Sequence, residues 1–224
     1  MEHRQLILLG TGEAMATECY NTCFLVKTPE GEYFLTDAGG GNGILRQMKR
    51  VQADFEHLHY MFVTHGHTDH IVGVIWVLRR IAALMNEDIY GGEFHIYCHS
   101  VALQIIEMMA ELLLTKQDLA HLGKRILLHE MRNGEEVYFL GMKLTAFDVM
   151  SSKAKQFGYR LRFPNRRTLV CLGDEPYDEH NRVYAERADW LLSEAFCRHA
   201  DRDRFEPYEK HHSTVKEAAQ RAES

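Results

Sequence analysis

The chain has 224 residues, of which 46% are hydrophobic, and its 26 basic and 32 acidic side chains give a net charge of −6. This length suits one domain with a sizeable buried core, so we expect residues 1–224 to form a single domain. The acidic balance argues against a generic nucleic-acid-binding surface and leaves room only for a local basic groove. No apolar run is long enough for a membrane span, and the N-terminal one is too short for a signal peptide, so no membrane partner is expected.

Apolar runs and alternating patterns predict a series of strands separated by turn residues. These strands are expected over 5–9, 22–28, 33–36, 59–63, 94–98, 134–148 (two strands around Gly141), 156–163 and 167–172. Helical spacing of apolar residues predicts helices over 44–51, 71–85 and 101–114. No internal repeat or linker separates these elements.

The five cysteines are odd in number and form no Cys-x-x-Cys pair. Cys23, Cys98 and Cys171 lie in apolar strand-like runs, where a reduced cysteine packs as a small hydrophobic side chain. We therefore expect a disulfide-free, cytoplasmic protein.

A histidine-rich segment, Thr-His-Gly-His-Thr-Asp-His over residues 64–70, joins a predicted strand to a predicted helix. His65 and His67 are two residues apart and project to the same side of an extended segment. Asp69 and His70 follow at the start of the helix. Neutral imidazole and carboxylate groups are ligands for zinc-like ions, so the segment predicts a metal site rather than a histidine-rich loop.

The pattern His-x-His-x-Asp-His resembles the signature of the metallo-β-lactamase superfamily. Three further blocks are similar to those of its ribonuclease Z-like and arylsulfatase-like branches. They are Leu-Gly-Thr-Gly at 9–12, Cys-Tyr-Asn-Thr at 19–22 and Asp-Ala-Gly-Gly-Gly at 37–41. The resemblance implies an α/β fold, a four-layer αββα sandwich with helices outside two mixed sheets.

The resemblance also implies the ligands of a dinuclear centre. His65 and His67 would serve one metal, and Asp69 and His70 a second. Asp174, at the end of an apolar strand, would bridge the two ions. Asp37 would lie beneath the centre as a partner of the ligand histidines, because a ligating imidazole usually donates its other N–H to a carboxylate or carbonyl.

Two departures from the family pattern bear on metal binding. In the block at 147–160 the family has a third histidine where this chain has Met150, whose thioether suits zinc or manganese poorly. In the family one more strand carries a final histidine, whereas this sequence stops at Ser224, inside the helix expected before that strand. We therefore expect one or two Zn²⁺ per chain, with Mn²⁺ or Fe²⁺ as alternatives, and weakened affinity.

The blocks at 193–196 and 210–214 resemble segments at the active-site rim of ribonuclease Z-like enzymes. The resemblance makes His212 the proton donor to the leaving group, while Ser213 and Thr214 with Glu217 also predict a helix N-terminus. The implied protein is a metal-dependent hydrolase whose catalytic residues are Asp69 and His212. It would direct a metal-activated hydroxide at a phosphodiester or related ester.

Two alternatives stay open. One is a tRNA 3′-processing endoribonuclease, although no exosite arm is recognisable between His70 and Asp174. The other is a degenerate member of the same fold that binds a metal or ligand without catalysis, as Met150 suggests. The substrate is thus expected to be a small-molecule ester or phosphodiester, with nucleic acid as the alternative, and the apolar helices would fit a homodimer.

Overall fold

The computed structural model describes residues 4–223. The chain packs as two compact units, Met1–Met131 and Arg132–Ser224. The expectation of a single domain stays a prediction, and each unit is described here by itself.

The first unit contains a six-stranded mixed sheet with the strands in sequence order. Its strands are β1 (Gln5–Gly10), β2 (Cys23–Lys27), β3 (Tyr33–Thr36), β4 (Leu58–Val63), β5 (Phe94–Cys98) and β6 (Ile126–Glu130). β1, β2 and β3 are antiparallel, whereas β3 to β6 are parallel. The carboxyl ends of β3 and β4 therefore meet at one edge of the sheet.

Helices of the first unit bury their apolar sides in one core with this sheet. They are α1 (Gly43–Arg50), α2 (Thr68–Ile71), α3 (Val74–Asn86), α4 (Ser100–Leu113) and α5 (Lys116–Leu119). α3 contributes eight buried residues, which explains why its sequence is apolar on more than one side. Leu35 and Met61, on neighbouring strands, belong to the same core.

The helix predicted over 71–85 is interrupted at Gly73. The backbone N–H of Gly73 donates to the carbonyl of Gly39 at 2.7 Å, so it does not extend the helical hydrogen bonding of the preceding turn. A Cβ at this position would lie 1.9 Å from the carbonyl oxygen of Ala38. Glycine thus allows the glycine-rich segment after β3 to lie directly against the start of α3.

The second unit contains a five-stranded mixed sheet in the order β11-β10-β9-β8-β7. Its strands are β7 (Glu136–Phe139), β8 (Met142–Asp148), β9 (Phe157–Arg162), β10 (Thr168–Cys171) and β11 (Trp190–Leu192). Only the β10–β11 pair is parallel. Its helices are α6 (Arg182–Ala185), α7 (Arg202–Phe205) and α8 (Val215–Glu223).

The predicted fold class, α/β with two mixed sheets and flanking helices, is confirmed. The predicted strands are all present, whereas β6 and β11 had no prediction. All five cysteines are free thiols, as expected. None of the helices within residues 4–223 combines the length and the apolar character needed to cross a bilayer.

Candidate metal centre

The histidine-rich segment lies at the carboxyl edge of the parallel strands. β4 ends at Val63, and the chain stays extended through His67, which precedes the first turn of α2. His65 and His70 are almost completely buried, and Asp69 retains 8% exposure. Side chains of this polarity are buried only where other polar groups satisfy them, so their partners define the site.

Asp37, directly after β3, is the central acceptor beneath this segment. It adopts φ = 53°, a left-handed conformation that few non-glycine residues take up. Its Oδ1 accepts the backbone N–H of Thr64 at 2.8 Å, and its Oδ2 accepts the Thr64 hydroxyl at 2.7 Å and Nδ1–H of His70 at 2.8 Å. Both carboxylate oxygens are thus used to orient neighbours, as expected of a residue that holds a ligand histidine in place.

These contacts assign the tautomers of the two buried imidazoles. His70 donates through Nδ1, so its Nε2 carries a lone pair, and this Nε2 lies 3.5 Å from Asp69 Oδ2. The Thr64 hydroxyl gives its single proton to Asp37 and therefore accepts from Nδ1–H of His65 at 2.9 Å. His65 Nε2 then also carries a lone pair, and it faces His67 Nδ1 at 2.9 Å.

The donor set of the first unit fits a divalent transition metal. Two buried imidazoles present lone pairs toward a third imidazole and a carboxylate, which is the ligand chemistry of zinc when no thiolate is offered. Ligand atoms of Asp37, His65 and His70 also lie within 4.8 Å of one another. Both oxygens of Asp37 are already hydrogen-bonded, so Asp37 orients its neighbours, whereas His65 and His70 could each offer Nε2 to a metal.

Tyr20 anchors the glycine-rich segment that carries Asp37. Its hydroxyl lies 2.8 Å from the carbonyl oxygens of both Ala38 and Gly41. Burial raises the pKa of Tyr20 to about 12, so the hydroxyl stays protonated and available as a donor at neutral pH. This contact gives the block at 19–22 a structural role in placing residues 37–41.

Asp174 lies in the second unit, in the loop that follows β10. Gly173 before it has φ = 71°, and the backbone N–H of Asp174 donates to Gln156 Oε1 at 3.0 Å. Lys153 Nζ lies 3.2 Å from the carbonyl oxygen of Asp174 and 4.0 Å from its Oδ2. The same ammonium pairs with Glu175 Oε1 at 3.3 Å.

His212 also lies in the second unit, just before α8. Its Nδ1 is 3.1 Å from Glu194 Oε2, its ring stacks on Phe196 at 4.9 Å, and its Nε2 is 3.5 Å from Lys153 Nζ. The neighbouring His211 makes none of these described contacts. The predicted helix start is confirmed, because Thr214 donates through both its backbone N–H and its hydroxyl to Glu217 Oε2 at 2.8 Å.

Met150 is 68% exposed and adopts φ = 60°, with its backbone N–H bonded to Asp148 Oδ1 at 2.8 Å. Sequence reasoning did not identify Thr64 as the link between Asp37 and His65, or Lys153 as the link between Asp174 and His212. Thr64 adjoins the motif and could have been found by asking what orients the histidines. Nothing in the spacing of Lys153 points to its partners.

A family model described as Anti-Pycsar protein Apyc1 matches residues 4–213. A curated relative, the ribonuclease Z of Archaeoglobus fulgidus, is 28% identical over 73% of this chain and 49% of its own length. This chain therefore spans about half the length of that relative.

Two solved structures show the fold. The short form of human tRNase Z aligns over 97% of this chain and 87% of its own, with a TM-score of 0.79 and 21% identity. The metallo-beta-lactamase fold protein YhfI from Bacillus subtilis aligns over 85% of this chain and 71% of its own, with a TM-score of 0.68 and 18% identity. The predicted resemblance to ribonuclease Z-like proteins with a metallo-β-lactamase fold is thus confirmed, and the chain belongs to the Anti-Pycsar protein Apyc1 family.

Proposed function

We propose that this protein is a metal-dependent hydrolase that cleaves a phosphodiester or a related ester. The observation that carries the proposal is the pair of buried imidazoles, His65 and His70, whose Nδ1 atoms are held by Thr64 and Asp37. Their Nε2 lone pairs are thereby presented to His67 and Asp69. Imidazole nitrogens presented beside a third imidazole and a carboxylate make up a donor set that a divalent transition metal binds.

We assign the ligands as His65, His67, Asp69, His70 and Asp174, with one or two Zn²⁺ per chain and Mn²⁺ or Fe²⁺ as alternatives. Asp174 is included on the strength of the family resemblance. A bound divalent ion supplies a water of lowered pKa and stabilises negative charge on the transferring group.

The chain's own groups supply orientation and proton transfer. Asp37 and Thr64 fix the tautomers of His70 and His65, so that their Nε2 atoms stay directed at Asp69 and His67. Glu194 accepts Nδ1–H of His212, so Nε2 of the neutral ring carries a lone pair and takes up the proton that it then passes to the leaving oxygen. Asp69, beside His70, acts with these groups as a catalytic carboxylate.

The activity can be tested with bis(4-nitrophenyl) phosphate after dialysis of the protein against zinc and manganese. Asp174→Ala should lose bound metal and hydrolysis together, because one carboxylate supports both. Asp203→Ala is the matched control, since that carboxylate is 86% exposed and has no proposed role. An Asp174→Ala variant that keeps both metal and activity would refute the assignment.

The relative named ribonuclease Z favours one second candidate, cleavage of a tRNA precursor at its 3′ side. The net charge of −6 weighs against it, since phosphate backbones are bound by basic surfaces. We therefore place a small phosphodiester first.

The presence of Met150 keeps a non-catalytic metal-binding role as the alternative. That role predicts bound metal without hydrolysis of any phosphodiester, and the Met150→His variant tests it by whether metal affinity rises.

The five free thiols support a cytoplasmic location. The exposed apolar residues Met108, Leu112 and Leu113 of α4 fit a homodimer.

A further inference from the structure

The second unit contains a partly buried ionic network whose centre is Lys153, a residue with no role assigned so far. Its side chain is 19% exposed, and that of Glu175 is 11% exposed. Glu175 Oε1 also accepts the Ser151 hydroxyl at 2.6 Å. An ammonium group this well covered is retained only when its donors are satisfied.

The three N–H donors of Lys153 match three acceptors. These acceptors are the carbonyl oxygen of Asp174 at 3.2 Å, Glu175 Oε1 at 3.3 Å and His212 Nε2 at 3.5 Å. With these contacts made, the ammonium has no donor left for a substrate oxygen. The geometry therefore describes a group that holds other residues in place.

The residues held by Lys153 come from separate segments of the chain. Asp174 is 21 residues away in sequence, in the loop after β10, and His212 is 59 residues away, at the start of α8. Glu194 holds the opposite nitrogen of the His212 ring. Lys153 and Glu194 together therefore fix both the position of His212 and its tautomer.

We propose that Lys153 is a positioning residue that links Asp174 to His212, and so keeps the proposed metal ligand and the proposed proton donor in one fixed geometry. This inference rests on the proposed function for its consequence in catalysis. The network itself depends only on contacts within the second unit.

The test uses three variants of the full-length chain. Lys153→Met keeps the approximate length of the side chain and removes its charge and all its N–H donors. Lys153→Arg keeps a positive charge and N–H donors. Lys155→Met is the matched control, because it makes the same charge change two residues away at an exposed position. With bis(4-nitrophenyl) phosphate, kcat should fall about 10- to 100-fold in Lys153→Met, with KM changed less than about threefold. Lys153→Arg should recover much of the loss, and Lys155→Met should behave as wild type.

A fourth variant separates the positioning role of Lys153 from the effect of leaving Glu175 without its counter-ion. Lys153→Met leaves the Glu175 carboxylate without its counter-ion, which could by itself disturb the fold. The double variant Lys153→Met/Glu175→Gln removes that carboxylate charge. If Lys153 positions Asp174 and His212, the double variant stays as slow as Lys153→Met; restored activity would overturn the proposal.

A readout independent of catalysis is the ¹H–¹⁵N correlation spectrum of the imidazoles, with the His212 signals assigned through His212→Gln. Lys153→Met should shift the Nε2 signal of His212, because that nitrogen loses its N–H donor, and Lys155→Met should leave the signal unchanged. Unchanged His212 signals together with wild-type kcat would overturn the proposal. If the wild type hydrolyses no phosphodiester but the His212 signals still depend on Lys153, the network stands and the proposed function fails.

Discussion

At the scale of single residues, Asp37 explains why the histidine cluster has one geometry. It accepts three hydrogen bonds, two from Thr64 and one from His70, while its backbone is held at φ = 53°. A non-glycine residue in this region costs on the order of 1–2 kcal/mol, which the three bonds and the buried surroundings offset.

The variant Asp37→Asn tests this role. Its amide has about the same shape but only one acceptor oxygen, so Thr64 and His70 cannot both be satisfied as before. We expect metal affinity to fall about 10- to 100-fold and the free energy of unfolding to fall by about 1–3 kcal/mol. Chelator competition and urea denaturation measure the two quantities.

Asp54→Asn is the control for this variant. Asp54 is exposed and bonds His57 at 2.5 Å on the surface, so neither quantity should change appreciably. Unaltered metal affinity in Asp37→Asn would show that Asp37 does not orient a ligand.

The cysteines give a second prediction at this scale. Burial raises the pKa values of the Cys23 and Cys98 thiols well above the usual range, whereas Cys19 is exposed. Because the thiolate is the nucleophile, iodoacetamide at about pH 8 should alkylate Cys19 on the order of 100-fold faster than either buried thiol. Raising the pH to about 9 should leave the buried pair slow. Peptide mass spectrometry measures the rates, and comparable labelling of Cys98 in folded protein would contradict the described packing.

At the scale of elements, the backbone at the break between α2 and α3 fixes the candidate metal centre against the sheet. Gly73 donates to Gly39, and the backbone N–H of Ala38 donates to the carbonyl of His70 at 3.0 Å. The segment after β3 is thus joined by backbone hydrogen bonds to His70 within α2 and to Gly73 just after it. These hydrogen bonds fix the position of His70 relative to the parallel strands.

Gly73→Ala should therefore disturb both stability and the site. The added Cβ would lie 1.9 Å from the Ala38 oxygen, so the backbone must shift, at a cost of about 1–3 kcal/mol or more. Gly41→Ala is the control, because nothing lies within 4 Å of a Cβ there. The midpoint temperature of thermal unfolding and the metal affinity should fall in Gly73→Ala and stay unchanged in Gly41→Ala. Equal behaviour of the two variants would refute the role given to Gly73.

At the scale of the whole molecule, the net charge of −6 bears on the choice of substrate. A chain with more acidic than basic groups should bind bulk tRNA weakly, with a Kd above about 10 µM at about 150 mM salt. Fluorescence anisotropy with labelled tRNA measures this. Submicromolar binding that falls steeply with added salt would reverse our preference and favour a tRNA substrate.

Local patterns predicted most of the fold. The strand expected over 33–36 and that over 94–98 have the predicted bounds, because apolar runs between turn residues determine them. β11 was missed because it has three residues, and the helix over 71–85 was predicted as continuous because periodicity does not reveal the backbone contact of Gly73 with Gly39. Sequence spacing predicted that His65, His67, Asp69 and His70 lie close together, since they fall within six consecutive residues.

Contacts between residues far apart in the sequence were not predicted by local patterns. The bond from His70 to Asp37, 33 residues apart, was anticipated only through the family resemblance. The Lys153 network was not anticipated at all, because a single lysine in a polar loop carries no periodic signal. Such contacts depend on which strand ends meet, and that is fixed by sheet order rather than by local sequence.

The most direct test of the account is the metal content of the chain. Protein purified without chelators and dialysed against a mixture of zinc and manganese should contain between about one and two ions per chain by elemental analysis, as expected for sites that keep three protein ligands. The double variant His65→Gln/His70→Gln should contain almost none. Negligible metal in the wild-type chain would contradict the metal centre and, with it, the proposed hydrolysis.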